Sequence, residues 1–458
     1  MMDAHSAGLR RRLMRGFSAT ALGPVVTAII QLGSVPVFLH AWGAARYGGW
    51  LLLSAIPSYL ALSDLGFGNA SGSDMPMLVA ANDREGALRT FQSSWVLVTS
   101  VSLIALVLGF ITVWWIPWEH WLRLSSLSNF QAAAIIFVLG AHVLVSQQCG
   151  ITESGYRSDG NFATGTFWIT ILRLAEAVAA TTVAVLGGSM LLVACTYLAV
   201  RSVGTIGYIL LLRHLSPWIT YGVRHARLAT IRQMVAPAFG FMALPIGSAL
   251  SQQGLLLVIG ARLGPISVVS FSTLRTLSRL SYQLIVAIKF ALWPELSSAF
   301  GAGNIFLART LHRYACQASL GLSIFGGSML WVFGPFVYRL WIHDTVRFDA
   351  TCFHVLLLVV VTTSLWDMSS VISMSINSHC RIAAQYCVAA LLSLGLAWML
   401  VPQLGTVGAA LALLAIDGWM TGFVLRTTLR QVQDTSKNFA VALFAIPRFR
   451  HALRPAES

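Results

Sequence analysis

Charge is what this sequence has least of. Only 10% of its 458 residues are Asp, Glu, Lys or Arg, whereas a soluble chain needs roughly a quarter to cover its surface. With 57% hydrophobic residues and a mean hydropathy of +0.74, that shortage excludes a water-facing globule. Thiol chemistry is missing too. Cys149, Cys195, Cys316, Cys352, Cys380 and Cys387 are scattered through apolar segments, none in a CxxC pair. Cys380 and Cys387 share a helical face but read as buried, unreactive thiols. The chain has no HExxH, GxSxG or Walker loop, and no acid pair on a large extramembrane loop. No enzyme activity, metal or cofactor is therefore expected, and active transport would have to draw on an ion gradient or the substrate's own gradient. A cleavable signal peptide is lacking as well. Arg10, Arg11, Arg12 and Arg15 precede an apolar run too long for an h-region and without a small-residue cleavage site.

What is present is a series of long apolar runs. A membrane-crossing helix needs about 20 apolar residues, and twelve runs qualify, roughly 16–39, 47–67, 93–116, 131–152, 163–186, 189–212, 233–260, 266–290, 312–334, 351–376, 382–401 and 405–425. Loops between them are short, which leaves no room for a globular extramembrane domain. With the N-terminus in the cytoplasm, 20 basic residues fall in inside segments and five (Arg46, Arg123, Arg262, Arg339, Arg347) in outside ones. Such a bias orients a membrane protein with both termini in the cytoplasm. It also accounts for the net charge of +14 without nucleic acid as a partner.

The polar stretch 213–232 falls near the middle and reads as a cytoplasmic linker between an N-terminal bundle, 1–212, and a C-terminal bundle, 233–437. Residues 438–458 form a basic tail whose NFAVALFAIP segment could lie in the membrane interface, held by Arg448, Arg450 and Arg454, or stay in solvent. Sliding the chain on itself by 221 residues aligns Pro24 with Pro245, Gln31 with Gln252, Gly33 with Gly254 and Gly43 with Gly264. An even number of spans per half predicts parallel repeats, and hence an all-α integral membrane fold of two pseudo-symmetric six-helix bundles with a central cavity holding the substrate. Pro24 and Pro245 would bend the first and seventh helices at matching depth.

Ionisable residues inside spans cost about 2.5–3.5 kcal/mol each at a helix centre, and so need water, a partner or a ligand. Arg275, Arg279, Tyr282 and Lys289 in the eighth span fall within an arc of about 80° on one helix face. They read as the lining of a wet, anion-attracting cavity, or as an Arg paired with a distant acid and a Lys289 that snorkels to the interface. Arg173 and Glu176, three apart in the fifth span, read as a pair. Arg201 lies mid-span in the sixth. Asp367 and Asp417 sit deep in the tenth and twelfth spans, where each could neutralise Arg201 or an eighth-span Arg, or carry a proton. Glu176 is a third coupling candidate. Asp64, before Gly66 and Gly68, reads as turn chemistry.

At Trp42–Ala70 (WGAARYGGWLLLSAIPSYLALSDLGFGNA) the chain resembles the polysaccharide flippases, the O-antigen-type exporters of the multidrug/oligosaccharidyl-lipid/polysaccharide superfamily. A second block runs from Leu257 (LVIGARLGPISVVSFSTL, leading to WPELSS), and a third is LGTVGAALA at Leu404–Ala412. The resemblance implies transport of an undecaprenyl-diphosphate-linked oligosaccharide across the bacterial inner membrane by alternating access, with other polysaccharide-assembly proteins and membrane lipids as partners. A cationic lumen suits that cargo, with Arg275 and Arg279 as first candidates for the diphosphate and Arg173 and Arg201 as second. These four come from the charge pattern and not from a family motif. A cation-coupled drug exporter of the same superfamily would be expected to carry an acid in its first span, and this one has none. A polysaccharide polymerase or ligase would need a long outer loop with catalytic Arg and His. The longest outer loop, about 335–350 with Arg339, His343, Asp344 and Arg347, is short for that role.

Overall fold

Each apolar run folds as helix, the form in which a chain satisfies its own backbone hydrogen bonds inside lipid. The computed structural model describes residues 2–124, 127–343, 345–376, 378 and 380–445. Asp344, Arg448, Arg450 and Arg454 lie outside the described residues. The helices are α1 (Met2–Ser58), α2 (Phe67–Ala80), α3 (Arg84–Thr112), α4 (Trp118–Trp121), α5 (Asn129–Ser158), α6 (Phe162–Val185), α7 (Met190–Leu215) and α8 (Leu228–Ala249). They continue as α9 (Leu255–Leu263), α10 (Pro265–Ser278), α11 (Leu280–Gly301), α12 (Ile305–Ile342), α13 (Ala350–Ser375), α14 (Cys380–Leu404), α15 (Thr406–Gln431) and α16 (Ser436–Phe444). A 3₁₀ turn, Tyr59–Asp64, follows α1, and a π-helical turn, Leu250–Gly254, joins α8 to α9.

Ten stretches among the described residues are long and apolar enough to cross a membrane. All twelve expected runs are nonetheless helical. The first two meet at a kink at Gly43 within α1, and the eighth is divided between α10 and α11. The chain is an all-α, multi-pass membrane protein.

Inside α1 the residue with non-helical dihedrals is Gly43, at φ 73° and ψ 168°. Its counterpart at the 221-residue offset, Gly264, closes α9 at φ 86° and ψ 177°. This corner of dihedral space is essentially closed to residues with a Cβ, so two glycines aligned by sequence adopt one backbone conformation that few others could. The two turns are also close in space: a Cβ on Gly48 would stand 2.1 Å from the Pro265 carbonyl oxygen. The helix runs on through Pro24, and the π turn begins five residues beyond Pro245.

The chain divides into two compact units, Met1–Val269 and Ser270–Ser458. In the first, Phe67, Met75, Phe91, Tyr156, Tyr208 and Ile219 form a buried cluster. The polar stretch after α7 is stitched onto this unit. Gln92 donates to the Thr220 carbonyl and accepts from the His225 N–H, each at 2.8 Å, while Asp159 accepts from Ser216 and Trp218. Asp64 makes a turn, as its position suggests, by accepting the Gly66 N–H at 2.9 Å. Gly66 takes φ 75°, and a Cβ there would stand 2.2 Å from the Ala238 carbonyl oxygen. Gly66→Ala therefore combines left-handed strain with a backbone clash, and should destabilise by at least ~2 kcal/mol. A thermal inactivation midpoint in detergent equal to wild type would refute this.

In the second unit, α13 lies against α12 and α15. The tail helix α16 is docked on α12. Phe439 stacks on the His312 ring at 5.3 Å, Arg313 forks onto Asp434 at 2.6 and 2.8 Å, and Arg309 donates to the Val432 carbonyl. Val441 and Phe444 remain exposed, as in an interfacial helix. Burial alone would raise the Asp434 carboxyl, but the Arg313 guanidinium and the Thr435 N–H hold it below the usual carboxylate range. A carboxyl depressed in the docked state contributes stability that is complete above its free pKa of about 3.9 and lost as pH falls through the lower, docked value. A spin label at Val441 should accordingly be immobile at neutral pH and loosen only below about pH 4. In Asp434→Asn it should be loose throughout, and mobility that ignores both pH and the substitution would remove the role given to this pair.

Candidate functional site: two buried charge clusters

The eighth span is not the uninterrupted stripe expected from spacing. Arg279 takes φ −86° and ψ 2°, which ends α10 at Ser278 and starts α11 at Leu280. The break puts Arg275 on α10 and Tyr282 and Lys289 on α11, with Arg279 at the junction, so the stripe does not run along one helix. The four residues still gather in one cluster with both deep acids of the second unit. Asp367 on α13 accepts from Tyr282 Oη and from Lys289 Nζ, both at 2.6 Å. Lys289 is thus neutralised by Asp367 and does not snorkel. Asp417 on α15 accepts from Thr363 Oγ1 and Trp366 Nε1, both at 2.8 Å. The Trp366 ring lies against Tyr386, 5.4 Å between centroids.

The guanidinium of Arg279 sits 5.0 Å from the Tyr282 ring centroid, a cation–π contact. Among the described residues no carboxylate lies within ion-pair distance of Arg279; Asp417 acts on it only at longer Coulombic range. Arg275 is in Coulombic range of Arg279, Tyr386 and Asp417. Among the described residues the cluster gathers three basic side chains and two acids, an excess of one basic group. In a low-dielectric setting such an excess draws an anion far more strongly than it would in water. The break at Arg279 places that charge where two helix ends meet.

A second cluster occupies the first unit. Glu176 on α6 accepts from Arg201 on α7 through two bonds, 2.6 Å from Nε and 2.5 Å from Nη2. His142 Nε2 on α5 lies 3.0 Å from Glu176 Oε1, so the imidazole donates to the carboxylate. Tyr197 packs edge-on to His142 at 5.7 Å. Glu176 and Arg201 are both buried, and Arg173 is exposed. The expected Arg173–Glu176 pair is thereby replaced by Glu176–Arg201. Helical spacing offered Arg173 as a neighbour, but tertiary packing supplied a guanidinium from the next helix with better two-point geometry. Neither Asp367 nor Asp417 is the partner of Arg201. His142, Thr363, Trp366 and Tyr386 were missed. Of these His142 carried a signal, an ionisable ring within an apolar span. Among the described residues no group of three or more His, Cys, Asp or Glu could hold a metal ion.

Comparison with solved structures places the fold. An inward-facing multidrug-resistance MATE transporter of the MOP superfamily aligns over 92% of this chain and 93% of its own, with TM-score 0.67 and 14% identity. An outward-facing one aligns over 92% and 95%, with TM-score 0.65 and 15% identity. The fold is that of the MATE transporters. It is shared too by a MOP-superfamily transporter from Pyrococcus furiosus Vc1 whose binding pocket is described as reversed in polarity, suggesting a different function. That structure aligns over 95% of this chain and 96% of its own, with TM-score 0.60 and 14% identity. No protein-family model matches the chain, and no curated protein does.

Proposed function

We propose that this protein is a transporter that carries an undecaprenyl-diphosphate-linked oligosaccharide across the bacterial cytoplasmic membrane by alternating access, for surface polysaccharide assembly. The observation that carries the reading is Arg279, a half-buried guanidinium at a helix break with no carboxylate of the described residues in ion-pair contact. A diphosphate supplies the anionic oxygens that such a group binds in short, charge-assisted bonds. Arg275 extends the same positive field, and Tyr282, Lys289 and Asp367 hold the wall of the cluster in place. Of the two second candidates, Arg201 acts as a structural pair with Glu176, and Arg173 is exposed. The 20-to-5 basic bias supports an orientation with both termini in the cytoplasm.

A cation-coupled multidrug exporter is the second reading. It is favoured by the fold shared with multidrug-resistance transporters and by Asp367 and Asp417, which could hold a cation. Proteoliposomes separate the two. Purified protein should expose a fluorescent undecaprenyl-diphosphate oligosaccharide to an external lectin, and should leave the gradient of a lipophilic cationic dye unchanged. Dye export without lectin exposure would favour the drug reading. A polymerase gains little support, because only residues 343–349 separate α12 from α13.

A further inference from the structure

A cavity of about 210 Å³ opens in the first unit where the end of α1 and its following 3₁₀ turn meet α3 and α5. Its walls are mainly apolar. Thr112 Oγ1 donates to the Leu108 carbonyl at 2.8 Å, and Trp118 Nε1 donates to the Val113 carbonyl at 2.7 Å. Both hydrogen-bonding side chains on its wall are engaged as donors, so the surface offered to a ligand is mainly apolar. The cavity is also smaller than the roughly 300–1,000 Å³ of drug-sized pockets, which favours a length of chain over a compact molecule.

Its position says where such a chain comes from. Leu103, Ile104, Val107, Leu108 and Ile111 on α3 are each more than half exposed, as expected of a face turned to lipid. The cavity sits at the end of α3 next to Trp118, the end that the basic bias assigns to the outer leaflet. Two glycines line it. Gly109 has open space where a Cβ would lie, and a Cβ on Gly140 would come within 3.2 Å of Leu60 Cδ1. Phe137 lines the opening. Lateral room and an aromatic wall suit a polyisoprenoid, which bears a methyl branch and a double bond on every unit. A saturated straight acyl chain needs neither.

We propose that this outer-end cavity seats a segment of the polyprenyl tail of the transported lipid. The proposal rests on the lipid-linked substrate assigned above. It adds a site in the first unit for the tail, apart from the cationic cluster that takes the diphosphate.

The test uses full-length protein in nanodiscs containing undecaprenyl phosphate with a diazirine in its tail, and, in a separate arm, a phospholipid with the same group in its acyl chain. After photolysis the polyprenyl probe should label α3 and α5 peptides at the cavity, and unlabelled undecaprenyl phosphate should compete. Gly109→Phe, whose side chain enters open space, should reduce that labelling about tenfold. Labelling spread evenly over lipid-facing helices, or equal labelling by the phospholipid probe that undecaprenyl phosphate cannot displace, would overturn the proposal. Intact cavity labelling alongside failed lectin exposure would instead overturn the transport reading and leave the tail site standing.

Discussion

Arg279→Ala is expected to cut lipid-linked oligosaccharide export by about 10- to 150-fold, the equivalent of losing one charged hydrogen bond worth roughly 1.5–3 kcal/mol. Protein abundance should not change. No carboxylate of the described residues relies on Arg279 through an ion pair, so its removal strands no buried anion. Lys289→Ala is the contrast, because among the described residues it leaves the Asp367 carboxylate with only the Tyr282 hydroxyl. Arg279→Lys keeps the charge but loses the planar fork, and should recover part of the rate. Arg275→Ala should fall in the same direction as Arg279→Ala. Export measured as lectin-accessible glycan lipid decides the matter. Normal export by both alanine variants would remove the cationic cluster from the transport path.

Glu176→Ala is expected to destabilise by about 3–5 kcal/mol, since breaking a buried pair abandons the remaining charge in a low dielectric. Arg201 would lose both of its bonds to Glu176, and His142 its acceptor. The thermal inactivation midpoint in detergent should fall by several degrees. Removing both charges with Glu176→Leu and Arg201→Met should restore most of the loss, because apolar replacement of a whole buried pair is often neutral or better. A double variant less stable than Glu176→Ala would mean that the pair does more than neutralise itself. Full stability of the single variant would show Arg201 to be solvated in some other way.

What was legible in the sequence followed from periodic or local rules. Apolar run length marked the spans, and the 221-residue offset singled out Gly43 and Gly264, whose dihedrals agree. Asp64 was readable because a carboxylate two residues before a glycine closes a turn on its own. Partnership across helices was not readable. Helical spacing made Arg173 the neighbour of Glu176, while the true partner lies 25 positions along the chain on α7. The break at Arg279 left no trace either, since SRLSYQ contains neither proline nor glycine. Asp367 and Asp417 could be recognised as costly residues. That they share a cluster with Arg275 and Arg279 depends on how α10, α11, α13 and α15 pack, which one helix face does not encode.

The bend at Gly43 bears on how little room two turns of the chain have to adjust. No loop separates the helices on either side of it, and Gly264 takes the same dihedrals between α9 and α10. A side chain at either position would add backbone strain that only a whole helix could move to relieve.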